Sequence, residues 1–130
     1  MKLRCFFAVI AVVASAGAAS AYCPMAVGYM MFKAAWPTEI YNSCEYERIE
    51  PKADGSTSYL IKVYGMSRPS DLDDIDLNDG YIWFRTDINV RDGHPITYEH
   101  LDHHFETPPG TLVDILTDPD FQRGFQTAAK

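Results

Sequence analysis

The chain lacks the short motifs that mark several common enzyme classes. It has no Gly-x-Ser-x-Gly elbow, no His-Glu-x-x-His pair and no glycine-rich phosphate loop, which argues against the corresponding hydrolases, zinc proteases and nucleotide-binding proteins. It is also poor in basic residues, with 11 Lys and Arg against 18 Asp and Glu and a formal net charge of −7. Because an acidic surface repels nucleic acid and anionic lipid headgroups, we expect no nucleic-acid partner.

Long apolar runs are absent as well. The most apolar stretch, from Phe6 to Val13, is too short and too rich in Ala to span a bilayer. Two basic residues precede it and Ala19-Ser20-Ala21 follows it, which is the order of a secretory signal peptide cleaved after Ala21. We therefore expect residues 1–21 to be a signal peptide and the mature chain, without a membrane anchor, to be periplasmic or secreted.

The remaining residues, 22–130, are predicted to form a single small domain. Loss of Lys2 and Arg4 leaves 9 basic and 18 acidic residues, a net charge of −9. A chain of this length is enough for one hydrophobic core and no more. Its acidity suits a basic protein partner or simply keeps the domain soluble.

Cysteine is scarce, and its spacing excludes the usual redox motif. Cys5 lies in the predicted signal peptide, which leaves Cys23 and Cys44 without a Cys-x-x-Cys arrangement. Exported compartments are oxidising, so we predict a disulfide between these two residues. A loop of that length stabilises a fold by about 3 kcal/mol in the chain-entropy model.

The periodicity of apolar residues predicts an α+β domain. Pro24 suits the first position of a helix, and Trp36 before Pro37 ends it. Alternating apolar residues then predict strands at 41–50, 57–66 and 81–90 and a shorter one around Ile96 and Tyr98, followed by short C-terminal helices. We expect the N-terminal helix to need cover on most of its surface and to pack on an antiparallel sheet of about four strands. This order of elements is loosely similar to cystatin-like and NTF2-like folds, which host many functions.

The periodicity of apolar residues also predicts which residues form the core and which aromatic residues lie on the other face of the strands. The residues expected to be buried are Val27, Met31, Trp36, Ile61, Val63, Ile82, Phe84, Ile88, Leu112 and Phe121. The opposite strand faces carry Tyr64, Tyr81 and Trp83. Such aromatics are enriched at protein interfaces, but in so small a domain packing beneath a helix is the simpler interpretation.

An acidic stretch between the second and third strands is a candidate calcium loop. Asp74, Asp76 and Asn78 alternate as the first oxygen donors of such a loop do. The glycine, Gly80, comes one residue late, and Arg85 stands where the closing Glu would be. A solvated connection between strands is the alternative, and we favour it.

The four histidines, His94, His100, His103 and His104, lie within eleven residues. If residues 98–105 form a helical turn, His100 and His104 share one face, a common geometry for two imidazoles on zinc, copper or nickel. The nearby carboxylates that would complete this predicted metal site are Asp102 and Glu106. The alternative is a polar surface turn that binds no metal.

Taken together, these features predict an exported protein that binds rather than catalyses, with no cofactor. Its partner would be a basic protein, such as an enzyme that it inhibits or a toxin that it neutralises. One alternative is a periplasmic metal-binding protein that uses the histidine cluster at 94–104. Another is a small hydrolase with His100 or His104 as the general base.

Overall fold

The computed structural model describes residues 22–68 and 80–128. The elements follow in the order α1 (Met25–Ala35), β1 (Ile40–Pro51), β2 (Thr57–Met66), β3 (Tyr81–Arg91), β4 (His94–His104), a short 3₁₀ turn (Val113–Ile115) and α2 (Pro119–Ala128). The four strands pair in sequence order as one antiparallel sheet, and α1 packs against it. The predicted α+β architecture is therefore confirmed, while the predicted signal peptide, residues 1–21, lies outside the described residues.

Local sequence accounts for the ends of these elements. The β3–β4 hairpin has a two-residue turn in which Asp92 and Gly93 have φ angles of 54° and 80°, and turns of this kind suit the twist of the flanking strands. Helix α2 is preceded by Asp118, whose Oδ1 accepts hydrogen bonds from the backbone N–H groups of Asp120 (2.8 Å) and Phe121 (3.4 Å). This is an N-cap followed by proline at the first helical position.

One hydrophobic core lies between the helices and the inner face of the sheet. All ten residues predicted to be buried are buried, and they form one contiguous cluster. Trp36 meets Phe84 edge-on at 5.4 Å between ring centroids, and Tyr59 meets Phe125 of α2 at 5.2 Å. Most of α1 is covered, as expected, and its exposed residues are Met25, Ala26 and Tyr29.

The predicted disulfide between Cys23 and Cys44 is confirmed, with Cα atoms 5.5 Å apart. It joins the segment before α1 to β1. A hydrogen bond from the Cys23 N–H to the Cys44 carbonyl (3.3 Å) runs beside it, and Tyr22 forms an isolated bridge with Glu45. Within residues 22–68 and 80–128, no helix is long and apolar enough to cross a membrane.

Strand β4 corrects one sequence expectation. It extends to His104, so residues 98–104 are strand rather than the predicted helical turn. Its pairing with β3 shifts at Leu101, because Arg85 is opposite Asp102 while the next residue, Thr86, is opposite His100. This bulge inserts one extra residue and reverses the alternation of side chains beyond it.

Candidate functional site

The outer face of the sheet carries the aromatic side chains that do not enter the core. Cross-strand pairing places Tyr64 opposite Trp83, and Tyr81 opposite Met66, on the face away from the buried Phe84 and Ile82. In the described part of the chain both helices pack on the inner face. Neither described helix therefore covers these aromatics, in contrast to the expectation that they pack beneath one. We call this surface the open face: the outward side chains of β1–β4, centred on Tyr64, Tyr81 and Trp83.

Contacts among the aromatic rings hold the centre of the open face in one arrangement. The Lys62 Nζ lies 4.3 Å from the ring centre of Trp83 and 5.1 Å from that of Tyr64. Tyr64 packs beside Tyr81 at 5.9 Å, and His104 stacks on Trp83 at 6.1 Å. These contacts reduce the side-chain entropy that binding a partner would otherwise remove.

Carboxylates surround this aromatic centre. Tyr64 donates a hydrogen bond to Oε2 of Glu45 at 2.6 Å, and burial together with this bond raises the pKa of Tyr64 above its ordinary value. Arg85 donates to Glu47 at 2.8 Å and forms an ion pair with Asp102 at 3.2 Å. The hydrogen bond to Glu47 also raises the pKa of Arg85. Arg85 thus links β1, β3 and β4 across the open face.

The open face is negatively charged overall. Its strands carry four basic side chains, those of Arg48, Lys62, Arg85 and Arg91. Lys62 and Arg85 make the contacts described above, Arg48 pairs with Glu50 and Asp87 at 3.4 and 3.9 Å, and Arg91 pairs with Asp54 of the turn between β1 and β2 at 3.4 Å. Against these stand six carboxylates, those of Glu45, Glu47, Glu50, Asp87, Glu99 and Asp102. The net negative charge therefore faces solvent around an apolar centre.

A second region lies on the inner side of β4, where the bulge at Leu101 brings two histidines together. His103 Nδ1 lies 3.2 Å from His100 Nε2, with ring centroids 5.1 Å apart. The pairing of His103 with Phe84 and of His100 with Thr86 sets both imidazoles on the inner side of the sheet. Without the bulge, residues 100 and 103 would lie on opposite faces.

These two histidines line a cleft of about 290 Å³ between β3, β4 and the chain at residues 108–112. We call it the histidine cleft. The Tyr98 hydroxyl and the Thr111 Oγ1 lie 2.7 Å apart, which joins β4 to the far wall. The Gly110 N–H donates to the Ala35 carbonyl at 2.8 Å and fixes that wall on the end of α1. The cleft is thus framed by elements that are attached to the core.

The predicted metal ligands are divided between the two sides of the sheet. His100 lines the histidine cleft, whereas His104 and Asp102 pair with outward residues of β3, and Glu106 is exposed beyond the end of β4. His94 lies apart, with its Nδ1 3.0 Å from Gln122 Oε1. Within residues 22–68 and 80–128, no three His, Cys, Asp or Glu side chains come together as a metal shell. The calcium candidates Asp74, Asp76 and Asn78 lie outside the described residues.

The partner of His100 in the cleft, His103, was not singled out by its spacing. Strand alternation alone would have grouped His100 with His104, as the helical turn did. The position of a bulge depends on how β3 and β4 pair, and no local feature around Leu101 marks it.

Comparison with known proteins adds no family to this description. No family model matches the chain, and neither the curated proteins nor the solved structures include a significant match.

Proposed function

We propose that this chain is an exported binding protein, without catalytic activity, whose open face recognises a basic protein. The observation that carries the proposal is the row formed by Tyr81, Tyr64 and Trp83, which lies among carboxylates on a sheet face that the described helices leave uncovered. Tyrosine and tryptophan contribute most of the binding energy in many interfaces, where they act as anchors in a dry centre with a polar rim.

The size of the open face supports this proposal. The strands are 12, 10, 11 and 11 residues long. With strands about 4.8 Å apart and about 3.3 Å per residue, the sheet presents roughly 600–700 Å². Each partner in a standard protein interface contributes about 800 Å², so this face and its margins would provide a surface of the required size.

Charge favours a basic partner over other classes. The six carboxylates of the open face exceed its four basic groups, each of which already contacts a carboxylate or an aromatic ring. A basic protein would pair with the exposed carboxylates and would be steered towards them over a distance. Nucleic acid and anionic membranes would be repelled by the same charges.

Export defines where such a partner would be met. The disulfide between Cys23 and Cys44 fits an oxidising compartment, and the first 21 residues have the order of a signal peptide. The partner would be a protein of the periplasm or of the secreted fraction. An enzyme that the chain inhibits or a toxin that it neutralises would meet these conditions.

The test is capture of a partner from the exported fraction of the producing cells, followed by affinity measurement with variants. Trp83→Ala is expected to weaken binding by about 2 kcal/mol, roughly thirtyfold, because it removes the central anchor. Tyr29→Ala is the matched control, since Tyr29 is an exposed aromatic on α1 (46% exposed) and lies away from the open face. Its affinity should be unchanged.

Two results would contradict the proposal. One is an acidic rather than basic partner. The other is equal loss of affinity in Trp83→Ala and Tyr29→Ala, which would place the contact elsewhere.

A further inference from the structure

We infer that His100 and His103 form a binding site for a first-row transition-metal ion in the histidine cleft. This site lies on the opposite side of the sheet from the open face, so it stands independently of the proposed function. It also differs from the pair that the sequence indicates, because the bulge at Leu101 replaces His104 by His103.

The geometry of the two imidazoles carries this inference. On a tetrahedral zinc ion with bonds of about 2.0–2.1 Å, two ring nitrogens lie about 3.3–3.4 Å apart and their ring centres about 5.2 Å apart. The observed separations are 3.2 Å between His103 Nδ1 and His100 Nε2 and 5.1 Å between the ring centroids. Both observed separations thus match those of two imidazoles bound to one ion.

Metal binding has a defined proton arrangement at this pair. In the absence of an ion, a single proton joins the two facing nitrogens as a hydrogen bond. For both nitrogens to bind an ion, His100 must carry its proton on Nδ1 and His103 on Nε2. The shared proton moves to the other nitrogen of its own ring, and the ion takes its place.

The cleft provides the rest of the coordination shell. No third His, Cys, Asp or Glu joins the pair among the described residues, so the remaining positions belong to water or to a donor atom of a bound molecule. The cleft of about 290 Å³ has room for several waters, since each occupies about 30 Å³ in the liquid. Thr86, Tyr98 and Thr111 also line it and supply hydroxyl groups for such waters.

Imidazole ligands suit zinc, nickel and copper, and affinity follows the general order in which copper(II) binds most tightly. Calorimetric titration of the purified protein with Cu²⁺ and with Zn²⁺ is the test. We expect one ion per chain, with tighter binding of Cu²⁺. His100→Ala and His103→Ala should each weaken binding on the order of tenfold or more.

His104→Ala is the matched control, because His104 adjoins His103 in the chain but stacks on Trp83 at the open face. Its metal affinity should stay within about twofold of the unmodified protein, since metal affinity responds to the ligands and their supports. Circular dichroism of each variant separates loss of the site from loss of the fold. The electron paramagnetic resonance spectrum of the Cu²⁺ complex should show two coordinated nitrogens in the unmodified protein and one in either single cleft variant.

Three results would overturn the inference. The first is no saturable binding of either ion. The second is unchanged binding in a folded His103→Ala variant. The third is loss of binding in His104→Ala, which would restore the pair predicted from a helical turn.

Discussion

Removal of the disulfide between Cys23 and Cys44 is expected to lower the free energy of unfolding by about 3 kcal/mol. The bond closes a loop with a sequence separation of 21 residues, for which the chain-entropy model gives about 3.4 kcal/mol at 25 °C. Both cysteines are buried, at 8% and 2% exposed. We therefore choose Cys→Ala replacements, because serine would add buried hydroxyl groups that need hydrogen-bond partners.

Urea denaturation of the Cys23→Ala/Cys44→Ala variant measures this effect. With a denaturant slope of about 1–3 kcal/mol/M, the midpoint should fall by about 1–3 M. The unmodified protein in excess reductant should unfold at the same urea concentration as the double variant, because both lack the same constraint. A loss below about 0.5 kcal/mol would refute the entropic argument, since a loop of this length cannot then be restricting the unfolded chain.

Three further substitutions test the packing, each by urea denaturation against the unmodified protein. Phe84→Ala should cost about 3–5 kcal/mol, because it empties a site that is 1% exposed beside Trp36; a loss under about 1 kcal/mol would contradict this burial. Tyr46→Phe should stabilise the protein by about 1 kcal/mol, because the buried Tyr46 hydroxyl has no hydrogen-bond partner in the described part of the chain; a clear loss of stability would disprove this. Gly65→Ala should cost about 1–3 kcal/mol, because a Cβ there would collide with the Phe32 ring and the Ile40 carbonyl; unchanged stability would show that the helix can shift.

The regular parts of the fold were predictable from the sequence for physical reasons. The two-residue period of apolar residues in 57–66 and 81–90 predicts strands, and the observed strands match these bounds to within one residue. Proline and aspartate residues mark where the helices begin and end. The pairing of the two cysteines could be predicted because the N-terminal sequence led us to expect an oxidising compartment.

The candidate sites depended on features that no local pattern encodes. The histidine pair exists because the β3–β4 ladder shifts at Leu101, and the placement of that bulge follows from pairing between distant residues. The open face exists because the two described helices, α1 and α2, pack on the same side of the sheet. Strand periodicity places the side chains of Trp83 and Phe84 on opposite faces of the sheet. It does not determine which of these faces a helix covers. The candidate sites thus depend on tertiary packing, whereas the helices and strands that carry them follow from local sequence.

The two tryptophans provide the most direct test of the proposed open-face interaction. Trp36 is 2% exposed and its Nε1–H donates to the Thr107 carbonyl at 2.9 Å, whereas Trp83 lies half-buried at the centre of the open face. An NMR spectrum of the two ¹⁵N-labelled indole groups, recorded while the captured basic partner is added, reports on both positions at once. The account predicts that the Trp83 signal shifts or broadens while the Trp36 signal stays in place. A partner that moves the Trp36 signal and leaves the Trp83 signal unchanged would contradict it.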